Sequence, residues 1–430
     1  MKILCIVSFI LLLLFMLKRS KGRGFMYNGI LVGGLLYYGI VPLLNEIFKG
    51  DKHYKLSYYL NCEVYEYATT YFYIILFFFV LYVSNKTCFL KREYTYIPNE
   101  IKLNKNLKLV GYFCFSVGGV SLVLFFGALG GLSNALMIAE IARSFATSLT
   151  DYMPYYASLL VIPARLVTVA PFCFWALQYL DKGKKKKYCT LKIVSFVFAA
   201  LFCLFNAGRA PILAMLLCLI VPILLNLNVK HAWTLIIIIG IFCLPLLDIL
   251  DQVFVYLQTG AFEFKESDYL SYLNQFSYPI NNVFHAFDIG HEYGFRWGKD
   301  FITVVLDFIP GLYFEPSYVP TSQYIGGANW KITGGTPNDL ITLSIFEFHF
   351  LGLIIIPLVL GKISKLTDEI LFGFKDKRIA RVLSTVIAVY SFLMVSNADP
   401  YALFRAFILW MIVLVVLMSK SKQPLKGGNK

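Results

Sequence analysis

Arginines and acids that lie inside or beside apolar stretches are the residues best suited to chemistry. Arg165 lies in LLVIPARLVTVAPF, about ten residues from the outer end of a predicted span, which at a helical rise of about 1.5 Å per residue places it roughly 15 Å deep. A charge at such depth must face a cavity or a partner, and Pro163 and Pro171 predict a distorted helix around it. The alternative is a structural ion pair with Asp248 or Glu347.

Glu347 and Asp339 lie in GGTPNDLITLSIFEFHFLGL, where a polar segment returns to an apolar one. We expect Glu347 a turn or two below the membrane surface, where a carboxylate can deprotonate a hydroxyl or pair with an arginine. Asp339 is a candidate substrate-binding residue at the start of the same stretch.

Two more arginines lie near turns between apolar stretches. Arg209, in NAGRAP, can meet an anionic headgroup at the membrane surface, with anchoring of a helix end as the alternative. Arg143 follows GGLSNALMIAEIA, an apolar helix expected on the outer membrane surface, and could equally pair with Glu140.

The polar segment 251–340 contains the remaining candidates. Its 10 acidic, 4 basic and 20 aromatic residues suit a folded surface that grips polar, ring-shaped ligands. Arg296 and Lys299, beside Trp297 in YGFRWGKD, suit a phosphate or a sugar carboxylate, with a cation–π pair or a loop salt bridge as the alternative.

Histidines in the same segment have a spacing that invites a metal site. His285, Asp288 and His291 form H-x2-D-x2-H, but no further cluster of ligand residues accompanies them, and we expect no metal. A general base is favoured over a metal ligand here, and a hydrogen-bonded loop residue over both.

Periodicity predicts two helices within this segment. The first has an apolar face and a polar face, formed respectively by Ile280, Val283, Phe284 and Phe287 and by Asn281, Asn282, His285 and Asp288. The second has an apolar face after the candidate N-cap Asp300, formed by Ile302, Val305, Leu306 and Ile309.

Composition places the chain in a bilayer. It is 58% hydrophobic and 15% charged, with a mean hydropathy of +0.68. The net charge of +14 comes from short clusters between apolar stretches, which indicate topology and headgroup contact rather than nucleic-acid binding. The nine cysteines form no metal-ligand spacing, and no Walker loop, dinucleotide fingerprint, GxSxG or HExxH occurs, so we expect no cofactor.

Hydropathy predicts an all-α polytopic membrane protein with about eleven spans, ten to twelve being compatible with the pattern. The predicted spans are 3–17, 25–48, 68–83, 109–129, 155–180, 193–205, 211–227, 233–250, 340–360, 382–396 and 402–418. This gives three parts: N-terminal spans in 1–250, a large loop in 251–340, and C-terminal spans with a tail in 341–430. The Lys/Arg clusters fall on one side, which we interpret as cytoplasmic, so the large loop faces outward.

The whole chain resembles the O-antigen (Wzy-type) oligosaccharide repeat-unit polymerases. The resemblance rests on ten to twelve spans, a large late outward loop, and the stretches GGLSNALMIAEIARS, NAGRAPILAMLLCLIVPILL and GGTPNDLITLSIFEFHFLGL. The family's pair of Arg-x10-Gly loops is not reproduced, since Pro154 and Asp307 stand where glycine would follow Arg143 and Arg296.

The resemblance implies a GT-C-like membrane glycosyltransferase on the periplasmic face of a bacterial inner membrane. It would join polyprenyl-pyrophosphate-linked oligosaccharides and would need no metal. Its partners would be membrane lipid and possibly a protein that regulates chain length. The charge of the pyrophosphate would be stabilised by Arg165 and Arg209, with Arg143 or Arg296. The acceptor hydroxyl would be oriented or deprotonated by Glu347, in preference to His285 and Asp288. Trp297 and Trp330 would stack on sugar faces. The alternatives are a lipid-linked oligosaccharide flippase or exporter, an O-antigen ligase, and a multispan scaffold.

Overall fold

The apolar stretches fold as helices. The computed structural model describes residues 1–20, 24–48, 63–87, 100–144, 154–205, 209–224, 276–306, 338–372 and 376–398, with the single positions 234, 249, 252 and 256. These residues include no strand, so the described part of the chain is all-α, as predicted.

The helices are as follows, in chain order. They are α1 (Lys2–Ser20), α2 (Phe25–Gly34), α3 (Val41–Phe48), α4 (Val64–Lys86), α5 (Glu100–Ala128), α6 (Leu132–Ser144), α7 (Tyr155–Ala164), α8 (Ala170–Leu180), α9 (Lys185–Phe205), α10 (Arg209–Leu224), α11 (Tyr278–Tyr293), α12 (Lys299–Leu306), α13 (Leu340–Phe348), α14 (Gly352–Phe372) and α15 (Lys377–Ser396). A π-helical turn, Leu35–Ile40, joins α2 to α3, and 3₁₀ turns lie at Arg165–Thr168, Lys182–Lys184 and His349–Leu351.

Eight helical stretches of the described ranges are long and apolar enough to cross a membrane. They are Lys2–Ser20, Phe25–Phe48, Val64–Lys86, Ile101–Ala128, Leu159–Leu180, Lys182–Phe205, Leu340–Leu371 and Lys377–Ser396. The chain is therefore a multi-pass membrane protein, as predicted. The predicted span 211–227 corresponds to the shorter helix α10, and the predicted spans 233–250 and 402–418 lie outside the described residues.

Contacts divide the chain into two units. Unit 1 comprises Met1–Tyr94, Asp268–Ile370 and Ile387–Leu409; unit 2 comprises Thr95–Ser267, Leu371–Val386 and Trp410–Lys430. The three-part division predicted from the sequence stays a prediction.

Unit 1 contains an aromatic core and a close helix pair. Phe9 of α1 packs against Tyr71 and Phe78 of α4, with ring centroids 6.0 and 5.5 Å apart. Gly29 and Gly33 of α2 lie so near α15 that a Cβ would stand 2.4 Å from the carbonyl oxygen of Ala388 and 2.8 Å from that of Phe392. Small residues four positions apart thus let the two backbones meet, as in other membrane helix pairs.

Basic helix ends meet within each unit. In unit 1 the Lys86 ammonium donates to the Arg19 carbonyl at 3.3 Å, which joins the ends of α4 and α1. In unit 2 Lys108 of α5 pairs with Asp181 after α8 at 3.0 Å, and the Arg378 guanidinium lies 4.9 Å from the Tyr179 ring centre. Within each unit, basic residues thus lie at the ends of neighbouring helices.

The two helices predicted within 251–340 are confirmed as α11 and α12. On α11 part of the predicted polar face is enclosed, with Asn281 and Asn282 7% and 0% exposed. On α12 the predicted apolar face is turned outward, with Ile302 61% exposed, and Asp300 is a buried residue of the first turn rather than an N-cap. Asp288, on the same polar face of α11, has a side chain that is 65% exposed, so only part of that face is enclosed.

Candidate functional site

The site lies where a membrane helix breaks. The apolar stretch Leu340–Leu371 is not one helix: α13 ends at Phe348, a 3₁₀ turn follows, and α14 begins at Gly352. Gly352 lies so close to α13 that a Cβ there would stand 1.7 Å from the carbonyl oxygen of Ser344. The span predicted for 340–360 is therefore interrupted at His349, where one helix ends, and the second helix, α14, continues to Phe372.

Asp339 fixes the N-terminus of α13. Its Oδ1 accepts the backbone N–H groups of Ile341 and Thr342 at 3.0 and 3.1 Å and the hydroxyl of Tyr38 at 2.5 Å. The Tyr71 hydroxyl in turn donates to the Tyr38 carbonyl at 2.7 Å. Burial raises the pKa of Asp339 to about 6, although the hydrogen bonds it accepts act in the opposite direction. This N-cap places every residue from Leu340 to Glu347 in the interior.

A tight turn fixes the other end of α13. The N–H of Arg296 donates to the Phe346 carbonyl at 2.9 Å, and the N–H of Gly298 donates to the Glu347 carbonyl at 3.2 Å. Two of the carbonyls that a helix leaves unsatisfied at its C-terminus thus find partners in the segment between α11 and α12. Gly298 has a φ of 81°, which suits glycine, whereas Trp297 adopts φ 53° with a side chain.

The carboxylate of Glu347 is the chemical centre of this arrangement. Glu347 is 0% exposed and faces the carboxylate of Asp300, itself 5% exposed, within the field of the Arg296 guanidinium. Ionised carboxylates only accept hydrogen bonds, and neither Glu347 oxygen has a donor among the described residues. The buried Nε of Arg296 likewise lacks an acceptor among them. The arrangement of two carboxylates beside one guanidinium is suited to a ligand that donates hydrogen bonds, such as a hydroxyl.

Rings surround the backbone break next to Glu347. The His349 ring centre lies 4.5 Å from that of Phe295, 5.2 Å from that of Phe287 and 5.9 Å from that of His291. The contacts are edge-on, so aromatic packing holds the imidazole beside the turn.

Backbone strain concentrates at the same place. Among the described residues, Trp297 and His349 are the non-glycine residues with positive φ, at 53° and 55°. Each such conformation costs about 1–3 kcal/mol and persists only where the surroundings impose it, typically at functional sites. Both residues lie near Glu347. Trp297 belongs to the turn whose N–H groups bind the last carbonyls of α13, and His349 follows Glu347 by two positions.

The sequence candidates fall into separate groups. Arg296, Trp297, Lys299, Asp339 and Glu347 all lie in unit 1 around α13. Of these, Trp297 is 62% exposed and Lys299 is exposed, whereas Asp339 is enclosed as an N-cap.

His285 and Asp288 lie one turn apart on α11. Their Nδ1 and Oδ2 atoms are 3.9 Å apart, and burial lowers the pKa of His285 although Asp288 acts in the opposite direction. His291 of the predicted metal spacing instead packs its ring on Phe295 and His349. In the described ranges no group of three or more His, Cys, Asp or Glu could hold a metal ion.

The remaining arginines belong to unit 2. Arg165 begins the 3₁₀ turn between α7 and α8, so the predicted distortion around Pro163 is confirmed, and its guanidinium lies 5.8 Å from the Phe202 ring centre. Arg143 lies in α6 and Arg209 begins α10, but their side chains are not among the described ones; Trp330 lies wholly outside the described residues.

Sequence reasoning missed Asp300 as a member of the site. Its position before an apolar repeat indicated a helix cap, and only the tertiary structure shows that its carboxylate faces Glu347.

Comparison with known proteins adds no relative: no family model matches the chain, nor does any curated protein or solved structure.

Proposed function

We propose that this protein is a membrane glycosyltransferase that polymerises polyprenyl-pyrophosphate-linked oligosaccharide repeat units. The observation that supports this function best is the buried Glu347–Asp300 pair beside Arg296, held by two strained residues at a helix break. Such a group can take a proton from a sugar hydroxyl while a cation lies near the charge of the leaving group.

In the proposed reaction a hydroxyl of the acceptor repeat unit attacks the anomeric carbon of the donor. A glycosidic C–O bond forms, the bond from that carbon to the pyrophosphate oxygen breaks, and lipid pyrophosphate leaves with the bonding electrons. The hydroxyl proton passes to Glu347, and Asp300 orients the acceptor by accepting a second hydroxyl. Arg296 offers a cation at this site; roles for Arg165, Arg209 and Arg143 at the pyrophosphate remain separate proposals for unit 2.

The membrane arrangement belongs to the same proposal. We propose eleven spans in a GT-C-like architecture, an inner-membrane location, and the site on the periplasmic face. Support comes from the helix ends of each unit, where Lys86 meets Arg19 and Lys108 meets Asp181, because such basic ends mark the cytoplasmic side.

A flippase for the same lipid-linked oligosaccharide is the second candidate. Buried carboxylates facing each other within a membrane protein also occur in proton relays of transporters. A ligase would share the polymerase chemistry but use a different acceptor.

The decisive experiment is the surface-glycan ladder of cells that lack the gene and carry one variant each. We would compare wild type, Glu347→Gln, Asp300→Asn and Arg296→Gln, with Glu292→Gln as the matched control because Glu292 is an exposed acid of α11. Membrane levels are measured for each variant.

The polymerase proposal expects a single repeat unit on its acceptor in the deletion strain and in well-expressed Glu347→Gln, with a full ladder for Glu292→Gln. Complete absence of repeat units, with lipid-linked units accumulating, would instead favour the flippase or the ligase. A normal ladder from Glu347→Gln would remove the chemical basis of the proposal.

A further inference from the structure

Three sulfur atoms lie close together between α9 and α10 in unit 2. The Cys203 thiol of α9 donates to the thioether of Met215 in α10, with Sγ and Sδ 3.8 Å apart. Cys218 follows Met215 by three positions, so these two side chains are neighbours on one face of α10. The Cys218 sulfur also lies within electrostatic range of that of Cys203. Two helices thus bring two thiols and one thioether to one place.

This sulfur cluster, formed by Cys203, Met215 and Cys218, is enclosed in the interior of unit 2. The two cysteines are 7% and 1% exposed, and Met215 packs against the apolar core that includes Phe202 and Phe205. Buried thiols often serve only as small apolar side chains. A third sulfur beside the thiol–thioether contact, however, supplies the ligand set of a metal ion, which apolar packing does not require.

The ligand set favours a soft ion. Thiolate and thioether ligands select Cu(I), zinc or iron–sulfur clusters, whereas hard ions take oxygen ligands. Zinc prefers four cysteine, histidine or acidic ligands and iron–sulfur clusters need four cysteines, but no group of three or more such residues in the described ranges could hold a metal ion. Metal–thiolate bonds are about 2.3 Å long, so two sulfurs on one trigonal ion lie about 4 Å apart. The 3.8 Å between Sγ and Sδ is close to that separation.

The sulfur cluster lies near the ends at which α9 stops and α10 begins. Cys203 precedes the end of α9 by about 3 Å and Met215 follows the start of α10 by about 9 Å, at about 1.5 Å per residue. A metal ion therefore has a short path from that surface. The Arg165 guanidinium lies within electrostatic range of Cys203, so a cation is near the thiolates that a bound ion requires.

We propose that Cys203, Met215 and Cys218 bind one Cu(I) ion in trigonal geometry, which joins α9 to α10. On binding, the S–H bonds of the two cysteines break and their protons pass to solvent. The two thiolates and the thioether each donate an electron pair to the ion. Copper keeps its oxidation state, so no oxidant or reductant is required.

The test measures Cu(I) binding by the purified, reduced full chain in detergent, without oxygen. The probe is Cu(I) supplied as its coloured complex with bicinchoninate, whose loss of absorbance measures transfer of the ion to the protein. The test variants are Cys203→Ser, Cys218→Ser and Met215→Leu, the last of which keeps the apolar volume. The control is Cys114→Ser/Cys173→Ser, because these residues are another buried pair of neighbouring thiols in unit 2.

We expect loss of either cysteine of the sulfur cluster to weaken Cu(I) binding by more than about 100-fold, since loss of an outer-shell group alone costs about 10- to 100-fold. Met215→Leu should weaken it by about tenfold, and X-ray absorption should show the copper losing one of its sulfur neighbours. The control should bind Cu(I) as wild type does.

Three results would each overturn the proposal: wild type that leaves the copper with bicinchoninate, equal losses in the control and the test variants, or unchanged binding by Met215→Leu. Copper held by nitrogen or oxygen in the X-ray absorption spectrum would do the same. None of these readouts depends on the proposed transferase activity.

Discussion

The substitution Gly352→Ala tests the helix break that positions Glu347. The φ and ψ of Gly352, −60° and −33°, are ordinary helical values, so alanine would meet no torsional penalty there. The obstacle is steric: a Cβ would stand 1.7 Å from the oxygen and 2.4 Å from the carbon of the Ser344 carbonyl. Since both are backbone atoms, α13 and α14 would have to separate.

The size of the effect follows from that overlap. Overpacking of a well-packed interior costs typically about 1–3 kcal/mol, and flexible side chains usually absorb part of it. Here no side chain can give way, so we expect Gly352→Ala to lower the free energy of unfolding by about 3 kcal/mol or more. The displaced α13 should also carry Glu347 out of position and abolish the glycan ladder.

The assay is reversible unfolding of the purified protein in mixed micelles with increasing sodium dodecyl sulfate, read by circular dichroism. Gly127→Ala is the matched control, because nothing lies within 4 Å of a Cβ at that helical position. It should be neutral or stabilising by up to about 1 kcal/mol. If Gly352→Ala matched this control in stability and activity, the close approach of Ser344 and Gly352 would be refuted.

Three further predictions use the same unfolding assay. Tyr38→Phe removes the 2.5 Å hydrogen bond to Asp339, and should destabilise the protein by about 1–3 kcal/mol at pH 7.5; a change below about 0.3 kcal/mol would contradict this bond. Because burial raises the pKa of Asp339 to about 6 from 3.8, its stabilising effect is fully present below pH 3.8 and is lost as pH rises through 6, by about 3 kcal/mol in all. The difference in stability between wild type and Asp339→Asn, which retains a capping side chain, should show that pH dependence, and a flat difference would count against it. Trp297→Asn should leave the free energy of unfolding unchanged or raise it by about 1 kcal/mol, because asparagine tolerates φ 53° better and the indole is 62% exposed. The same variant should weaken glycan polymerisation if the ring stacks on sugar. A marked loss of stability would show that the indole is structural.

Span positions could be predicted because the bilayer imposes a strong compositional rule. About 20 apolar residues are needed per helix, and eight predicted spans correspond to helices of that kind in the described ranges. The distorted helix around Arg165 was also predictable, since proline removes a backbone donor at a known position.

The break at His349 had no comparable signal. The stretch LITLSIFEFHFLGLIIIPL predicts a continuous helix, because neither proline nor glycine occurs at the break itself. What ends α13 is tertiary: Arg296 and Gly298 donate to its last carbonyls, and Gly352 lets the next helix approach. Local helix propensity could not reveal these causes, because the hydrogen-bond donors are remote in sequence and the close approach at Gly352 depends on the tertiary structure.

The orientation of α12 shows why Asp300 was missed and why the site is acidic. Periodicity predicts an apolar face that contains Ile302 and Val305 and lies on the membrane or covers the cavity below it, but it does not show what the opposite face contacts. In a membrane protein the surroundings can be as apolar as the core, and the outward position of these residues, 61% and 47% exposed, has no aqueous penalty when lipid covers them. Two buried carboxylates that face each other are costly in an apolar interior, so the presence of Asp300 opposite Glu347 supports the catalytic role proposed for this pair.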